Sequence, residues 1–221
     1  MRKTNSRKRL VRSTCTVILT GLLTLLSAMA VVSPVAACDE KIVIDLVTYK
    51  ISKYWCGRRL DSSALAKSSD LVQLPQPLTF EQYRIYVLPE TRDAFVAMAA
   101  AAKVDSVLLI VDSGFRSRSF QARIIRRRLD QGDSFEKVLQ SVAPPGYSEH
   151  HTGRALDLCP SEAIFAFSKT YAWLKKNAAK FGFYETLPED PAAPLTWESW
   201  HWTYLGPKAM PIKRSSSSAD N

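Results

Sequence analysis

Hydrophobic and polar positions along this chain follow two periods, and the switches between them mark its elements. Residues 40–49 (EKIVIDLVTY) alternate well enough to predict a strand. Residues 56–79 are serine-rich, hold no regular period and contain the breaker PQP, so they read as a lead-in segment. The core pattern begins near Leu78. TRDAFVAMAAAAKV (91–104) predicts a helix with Thr91 as its cap, and VLLIVDSGF (107–115) a buried strand closed by a glycine turn. SFQARIIRRRLDQG (119–132) predicts a helix that stops at Gly132, with Arg123, Arg126, Arg127 and Arg128 on a solvated face. SFEKVLQSVA (134–143) predicts a short helix stopped by Pro144-Pro145-Gly146, and RALDL (154–158) a strand. AIFAFSKTYAWLKKNAAKF (163–181) predicts one long helix ending at Gly182, and WESWHWTYL (197–205) an aromatic-rich strand. Interspersed strands and helices of this kind predict an α+β domain with a small, mostly antiparallel sheet flanked by helices.

Charge changes the picture less than its total suggests. The formal net charge of +9 points first to nucleic acid or a membrane surface. Residues 1–37, however, carry six basic groups and no acid, which leaves 24 basic against 21 acidic residues in the remainder. A nucleic-acid partner loses its support. That N-terminal stretch instead has the order of an export signal. MRKTNSRKRLVRST is basic, VILTGLLTLLSAMAVV is apolar, and SPVAAC supplies small residues for cleavage. An uncleaved membrane anchor is the competing reading, because the apolar run approaches the ~20 residues that span a bilayer. VAAC at 35–38 also fits a lipoprotein box, in which Cys38 would carry lipid; an ordinary signal peptidase would cut the same bond. The expected organisation is a signal at 1–37, a lead-in at 38–78, a catalytic domain at 79–206 and a disordered polar tail at 207–221. The expected location is the periplasm or the outer face of the membrane.

Cysteines leave two pairings open. Cys15 lies in the signal, so Cys38, Cys56 and Cys159 remain. Lipid on Cys38 would leave Cys56 and Cys159 to pair; otherwise Cys38–Cys56 is equally plausible and Cys159 is free. No CxxC spacing exists to suggest a thiolate zinc site.

Candidate chemistry gathers around the three histidines. SEHHTGRALD (148–157) places His150 seven positions before Asp157, and ESWH (198–201) places Glu198 three before His201. Two histidines and a carboxylate suit a catalytic zinc site, which keeps one position for water. Zinc lowers the pKa of bound water from about 15.7 to about 7, and a nearby carboxylate such as Glu198 would then take its proton. Spacing alone does not decide the matter. On a flat strand Glu198 and His201 face opposite sides, so they share a site only if the chain bends between them. Gly153 permits a turn between His150 and Asp157. Asp157 sits in an apolar run, where an unpaired charge would be costly.

Several motifs in register carry a resemblance. SGFRS (113–117), Gln121, SEHHTGRALDL (148–158) and ESWH (198–201) resemble, in order and interval, the VanY-type D-alanyl-D-alanine carboxypeptidases, zinc peptidases of the Hedgehog/D,D-peptidase-like fold. The resemblance covers roughly residues 80–206. It implies that His150, Asp157 and His201 bind Zn2+, that Glu198 is the catalytic base, and that Arg116 stabilises the oxyanion. It also implies that Gln121 and Ser148 line the substrate site. Phe115 replaces the commoner tyrosine, and His151 falls at a variable position with no implied ligand role. Cys159 reads as a buried or bridged cysteine in preference to a stray metal ligand, and Trp197, Trp200, Trp202 and Tyr204 as core packing and cleft rim.

The implied function is removal of the C-terminal D-alanine from peptidoglycan stem peptides by an exported monomer. L,D-carboxypeptidase and endopeptidase activities share the same metal set and stay open. A non-catalytic zinc-containing wall-binding module is disfavoured because Glu198 and Arg116 are both present.

Overall fold

A computed structural model describes residues 38–191 and 193–207. The signal at 1–37 and the tail beyond Pro207 lie outside the described residues. Among these residues no helix is long and apolar enough to cross a membrane.

The described residues open with a hairpin of β1 (Lys41–Ile44) and β2 (Val47–Lys50), not the single strand that alternation predicts. Asp45 and Leu46 both adopt positive φ, and this pair reverses the chain as a two-residue hairpin turn does. Leu46 is almost fully exposed, so nothing in its hydrophobicity marks the turn. The lead-in then carries short 3₁₀ turns and β3 (Val72–Gln73), which pairs antiparallel with β4 (Tyr86–Val87).

Helix α1 (Pro89–Val104) starts two residues before the predicted cap. Pro89 takes the first helical position, where a missing N–H costs nothing, and Thr91 is buried inside the first turn. β5 is only Val111–Ser113, shorter than the apolar run around it. α2 (Arg118–Asp130) is capped by the Ser117 hydroxyl, which accepts from the Phe120 N–H. Its Arg123, Arg126 and Arg127 are exposed, as the solvated-face reading requires, but Arg128 is half-buried and donates from Nε to Asp133 at 2.6 Å. α3 (Phe135–Val138) is a single turn capped by Ser134. β6 (Ala155–Leu158) is followed by a region that breaks the predicted long helix into pieces. A 3₁₀ segment (Ala163–Phe167) gives way at Ser168, whose hydroxyl caps α4 (Lys169–Asn177) by accepting from the Tyr171 N–H. β7 (Phe183–Tyr184) and β8 (His201–Tyr204) complete the list.

The principal sheet runs β5-β6-β8-β7, antiparallel throughout. Alternation gives each strand two chemistries. Val111, Leu156, Leu158, Phe183 and Trp202 face a core built with Phe95, Met98 and Ala102 of α1 and Leu174 of α4. The opposite parity puts Asp157 and His201 on the other face, and a register shift between Val111 and Ser113 brings Ser113 into the same rung, because Asp157 pairs with Ser113 on β5 and with His201 on β8. A second core joins Ile125 of α2, Phe135 and Val138 of α3 and Tyr147 to Ile42, Ile44, Ile51 and Trp55 of the N-terminal segment.

Cys38 is bonded to Cys56 and Cys159 is free, which selects the second of the two pairings. The sulfur that a lipid would need is the one engaged in this bond.

Candidate active site

The glycines of two motifs place the first ligand. Gly114 sits where a Cβ would come within 2.7 Å of Ile85 Cγ2 and 2.8 Å of the Tyr86 carbonyl oxygen, so only glycine lets this turn lie against β4. Its carbonyl accepts from His150 Nδ1 at 2.6 Å. Gly153, in the left-handed region at φ 67°, ends the 3₁₀ turn Glu149–Thr152 and sends the chain into β6. His150 and Asp157 are thereby brought together, with His150 Nε2 3.2 Å from Asp157 Oδ2.

The second ligand segment bends as a shared site demands. Residues 197–200 are not strand; a turn at Ser199–Trp200 precedes β8, and the His201 N–H donates to the Glu198 carbonyl at 2.9 Å. The predicted strand over 197–205 therefore shortens to four residues. Glu198 and His201 line one cleft of about 240 Å³ together with Arg116, Gln121, Ser148 and Asp157.

His150, Asp157 and His201 are all buried, and their donor atoms lie within 4.8 Å of one another. His201 Nδ1 is 3.0 Å from Asp157 Oδ1, while its Nε2 faces Glu149 Oε2 at 3.3 Å. Each ring thus has an outer nitrogen bonded to an oxygen acceptor, and each inner nitrogen faces the Asp157 carboxylate. Neutral rings donating outward would aim two lone pairs at that carboxylate, an arrangement that calls for a cation between them. The donor set is that of a catalytic zinc site.

The charges answer the same demand. Burial opposes ionisation of Asp157, but His150 and Arg116 beside it hold its carboxyl well below the usual range. Burial, reinforced by Arg116, pushes His150 down to about 4. Burial also works against a charge on His201, yet its hydrogen bonds to Asp157 and Glu149 win and push it up to about 10. Glu149 is held at about 2 because the bonds from His201, Thr186 and Thr203 outweigh its burial. Glu198 moves the other way, up to about 7, through burial and then the Asp157 charge. Two carboxylates in one cleft with pKa values driven apart are the mark of divided acid–base roles.

Arg116 donates from Nε to Ser113 Oγ at 2.9 Å and ion-pairs through Nη2 with Asp157. Gln121 is fully buried; its Nε2 donates to the Ala143 carbonyl at 2.9 Å, and its Oε1 has no protein partner. Ser148 is buried on the same wall. Trp200 packs on the core and lines the cleft, and Trp202 is buried, as core-and-rim aromatics should be.

Two buried neighbours escaped the sequence reading. Glu149 receives three bonds at one oxygen, from Thr186 at 2.5 Å, Thr203 at 2.8 Å and His201 at 3.3 Å. His151 accepts from the Gly146 N–H at Nε2 (3.0 Å), so its Nδ1 donates to the Arg116 carbonyl at 2.6 Å. It ties the arginine loop to the Pro-Pro-Gly turn and stays off the metal set. The one sequence hint for both was polarity inside a stretch otherwise destined for burial.

Comparison with known proteins agrees with this geometry. A putative carboxypeptidase, YodJ of Bacillus subtilis (strain 168), is 32% identical over 155 residues, covering 65% of this chain and 56% of that protein. The chain thus spans little more than half the length of this relative. The structure of the LdcB LD-carboxypeptidase superposes with a TM-score of 0.60 at 27% identity, covering 77% of this chain and 86% of the other. A mutant of the vancomycin-resistance D,D-pentapeptidase VanY from a VanB-type cassette, in complex with Zn(II), superposes at 0.51 with 25% identity, covering 68% and 88%. The model of the VanY D-alanyl-D-alanine carboxypeptidase family matches residues 84–207, a stretch that contains the Ser113–Asp157–His201 rung and both ligand segments, and the chain belongs to that family.

Proposed function

We propose that this protein is an exported zinc carboxypeptidase that releases the terminal D-alanine from peptidoglycan stem peptides. The observation that carries the reading is the buried triad of His150, Asp157 and His201 sharing one cleft with Glu198, whose carboxyl is tuned to about 7. Zinc held by those three residues would supply a Lewis acid and an acidified water. Glu198 takes the proton of the attacking water and returns it to the leaving amine of the D-alanine. Arg116 lies beside the triad, where its guanidinium can meet the negative charge that develops on the scissile carbonyl oxygen. Gln121 offers its unpaired Oε1 to a substrate N–H, and Ser148 stands on the same wall.

Export rests on the order of residues 1–37, and the catalytic segment on residues 79–206. The Cys38–Cys56 bond favours ordinary signal cleavage over lipid attachment at Cys38, since both need the same sulfur, and a disulfide suits an oxidising compartment. Incubation with muropeptides tests the activity. The zinc-loaded protein should release D-alanine from pentapeptide stems, and a chelator should abolish the release. Peptide-binding protein that releases no D-amino acid would overturn the reading. L,D cleavage of tetrapeptide stems is the second reading, favoured by the higher TM-score to the LdcB LD-carboxypeptidase. Tetrapeptide offered separately distinguishes the two.

A further inference from the structure

β5 carries one residue more than its pairing with β6 needs. Val111 pairs with Leu158 and Ser113 with Asp157, so two steps along β5 match one step along β6 and Asp112 is left over. A bulge of this kind interrupts the ladder and re-aims a side chain, and bulges recur beside active sites. Its flanks divide between the two faces. Val111 is buried in the core, and Ser113 joins Asp157 and His201. Asp112 itself lines the cleft. Its Oδ2 accepts from the Ser161 hydroxyl at 2.6 Å, and Ser161 lines the cleft beside it. The carboxylate is thus held in place before any ligand arrives, which reduces the entropy lost on binding.

The other carboxylates of the cleft are already engaged. Asp157 faces Arg116, His150 and His201, and Glu149 faces His201, Thr186 and Thr203. Glu198 is the base of the proposed reaction. Asp112 has the neutral bond from Ser161, and among the described residues no ion pair reaches it. An anionic oxygen so placed suits a compact ammonium with three donors, through charge-assisted bonds about twice as strong as neutral ones. We infer that Asp112 is a specificity residue that binds the side-chain ammonium of a diamino acid in the stem peptide. The inference rests on the proposed carboxypeptidase reading and deepens it. Only D-alanine lies beyond the scissile bond, and its side chain has no amine, so the ammonium belongs to a residue on the amino side. A stem whose amine is acylated, as in a peptide crosslink, presents a neutral amide there and loses the contact. The bulge therefore makes the cleft select stems with a free amine.

Binding separates this inference from the activity, because it needs no turnover. Zinc-loaded mature protein carrying Glu198→Gln, with and without Asp112→Asn, is titrated calorimetrically with two stem pentapeptides. Both contain lysine as the diamino acid and are acetylated at the N-terminus, which removes the other amine. One keeps the lysine amine free, and in the other it is acetylated. The parent should bind the free-amine peptide about tenfold more tightly, and Asp112→Asn should erase that preference. Asparagine keeps an oxygen for Ser161, and the acetylated peptide, bound equally by both proteins, reports that the cleft is intact. A parent that binds both peptides alike overturns the inference. So does a variant that keeps the preference, a variant that loses affinity for both peptides equally, or a parent that binds neither. D-alanine release by the unmutated protein is scored separately. Amine-dependent binding without release would sink only the catalytic reading, and equal release from both peptides with equal binding would sink only the subsite.

Discussion

Glu149 Oε2 lies 3.3 Å from His201 Nε2, on the side of the ring away from Asp157. The carboxylate fixes both the orientation and the tautomer of this ligand, because only Nδ1 is then left to face the metal position. Such outer partners typically change metal affinity by about 10–100-fold. Glu149→Gln should lower zinc affinity by that order, read by competition with a chromophoric chelator, and excess zinc should restore activity. Unchanged affinity would show that Glu149 serves only the fold.

Glu198 presents a different signature, because it should matter for rate and not for metal. Glu198→Gln should keep its zinc and lose activity by about 10²–10⁴-fold. The base must be ionised, so kcat/KM should rise with pH through its pKa and fall in acid. Burial and Asp157 push that pKa up to about 7, and a divalent cation at the triad favours the ionised form and draws the midpoint lower. The acid limb of the profile should therefore lie at or below pH 7.

Zinc binding should expel protons. Its bonds to Asp157 and Glu149 overcome burial and push His201 up to about 10, so at pH 7 the ring is protonated before the ion arrives. A ligating ring is neutral at the donor nitrogen, hence that proton must leave. Calorimetry in buffers of different ionisation enthalpy should read at least one proton released per ion at pH 7. Affinity should fall as the pH is lowered. A reading of zero would remove His201 from the ligand set.

The Cys38–Cys56 bond closes a loop with a sequence separation of 18. By chain entropy such a crosslink contributes about 3 kcal/mol. Replacing both cysteines by serine should lower the melting temperature by roughly 6–12 °C for a chain of this size. The Cys159 thiol is partly exposed and joins no bond, so it needs no substitution in that comparison.

The sequence placed Asp157 on a strand because RALDL alternates, while its pairing with Ser113 and His201 came from the sheet register. His201 was legible through its motif, but the bend that brings Glu198 beside it was only a stated condition. Tertiary packing supplied it. The helix over 163–181 failed at Ser168, where a hydroxyl cap restarts the helix inside a run whose hydrophobic period looked continuous. The hairpin at Asp45–Leu46 was hidden because Asp45, which tolerates a left-handed turn, is followed by Leu46, which gives no such signal, in place of the usual glycine. Glu149 was missed for a physical reason. It acts through His201, far away in sequence, and local pattern carries no record of such a meeting.

The mixed parentage of the second core bears on autonomy. Ile42, Ile44, Ile51 and Trp55 close over Ile125, Phe135, Val138 and Tyr147, so the two sides are separated by at least 70 positions along the chain. A fragment trimmed to the family's shared stretch would leave the latter set bare to water, a hydrophobic patch prone to self-association. The residues that make this chain a member of its family thus do not by themselves cover its second core. The leading segment is the missing half of its interior.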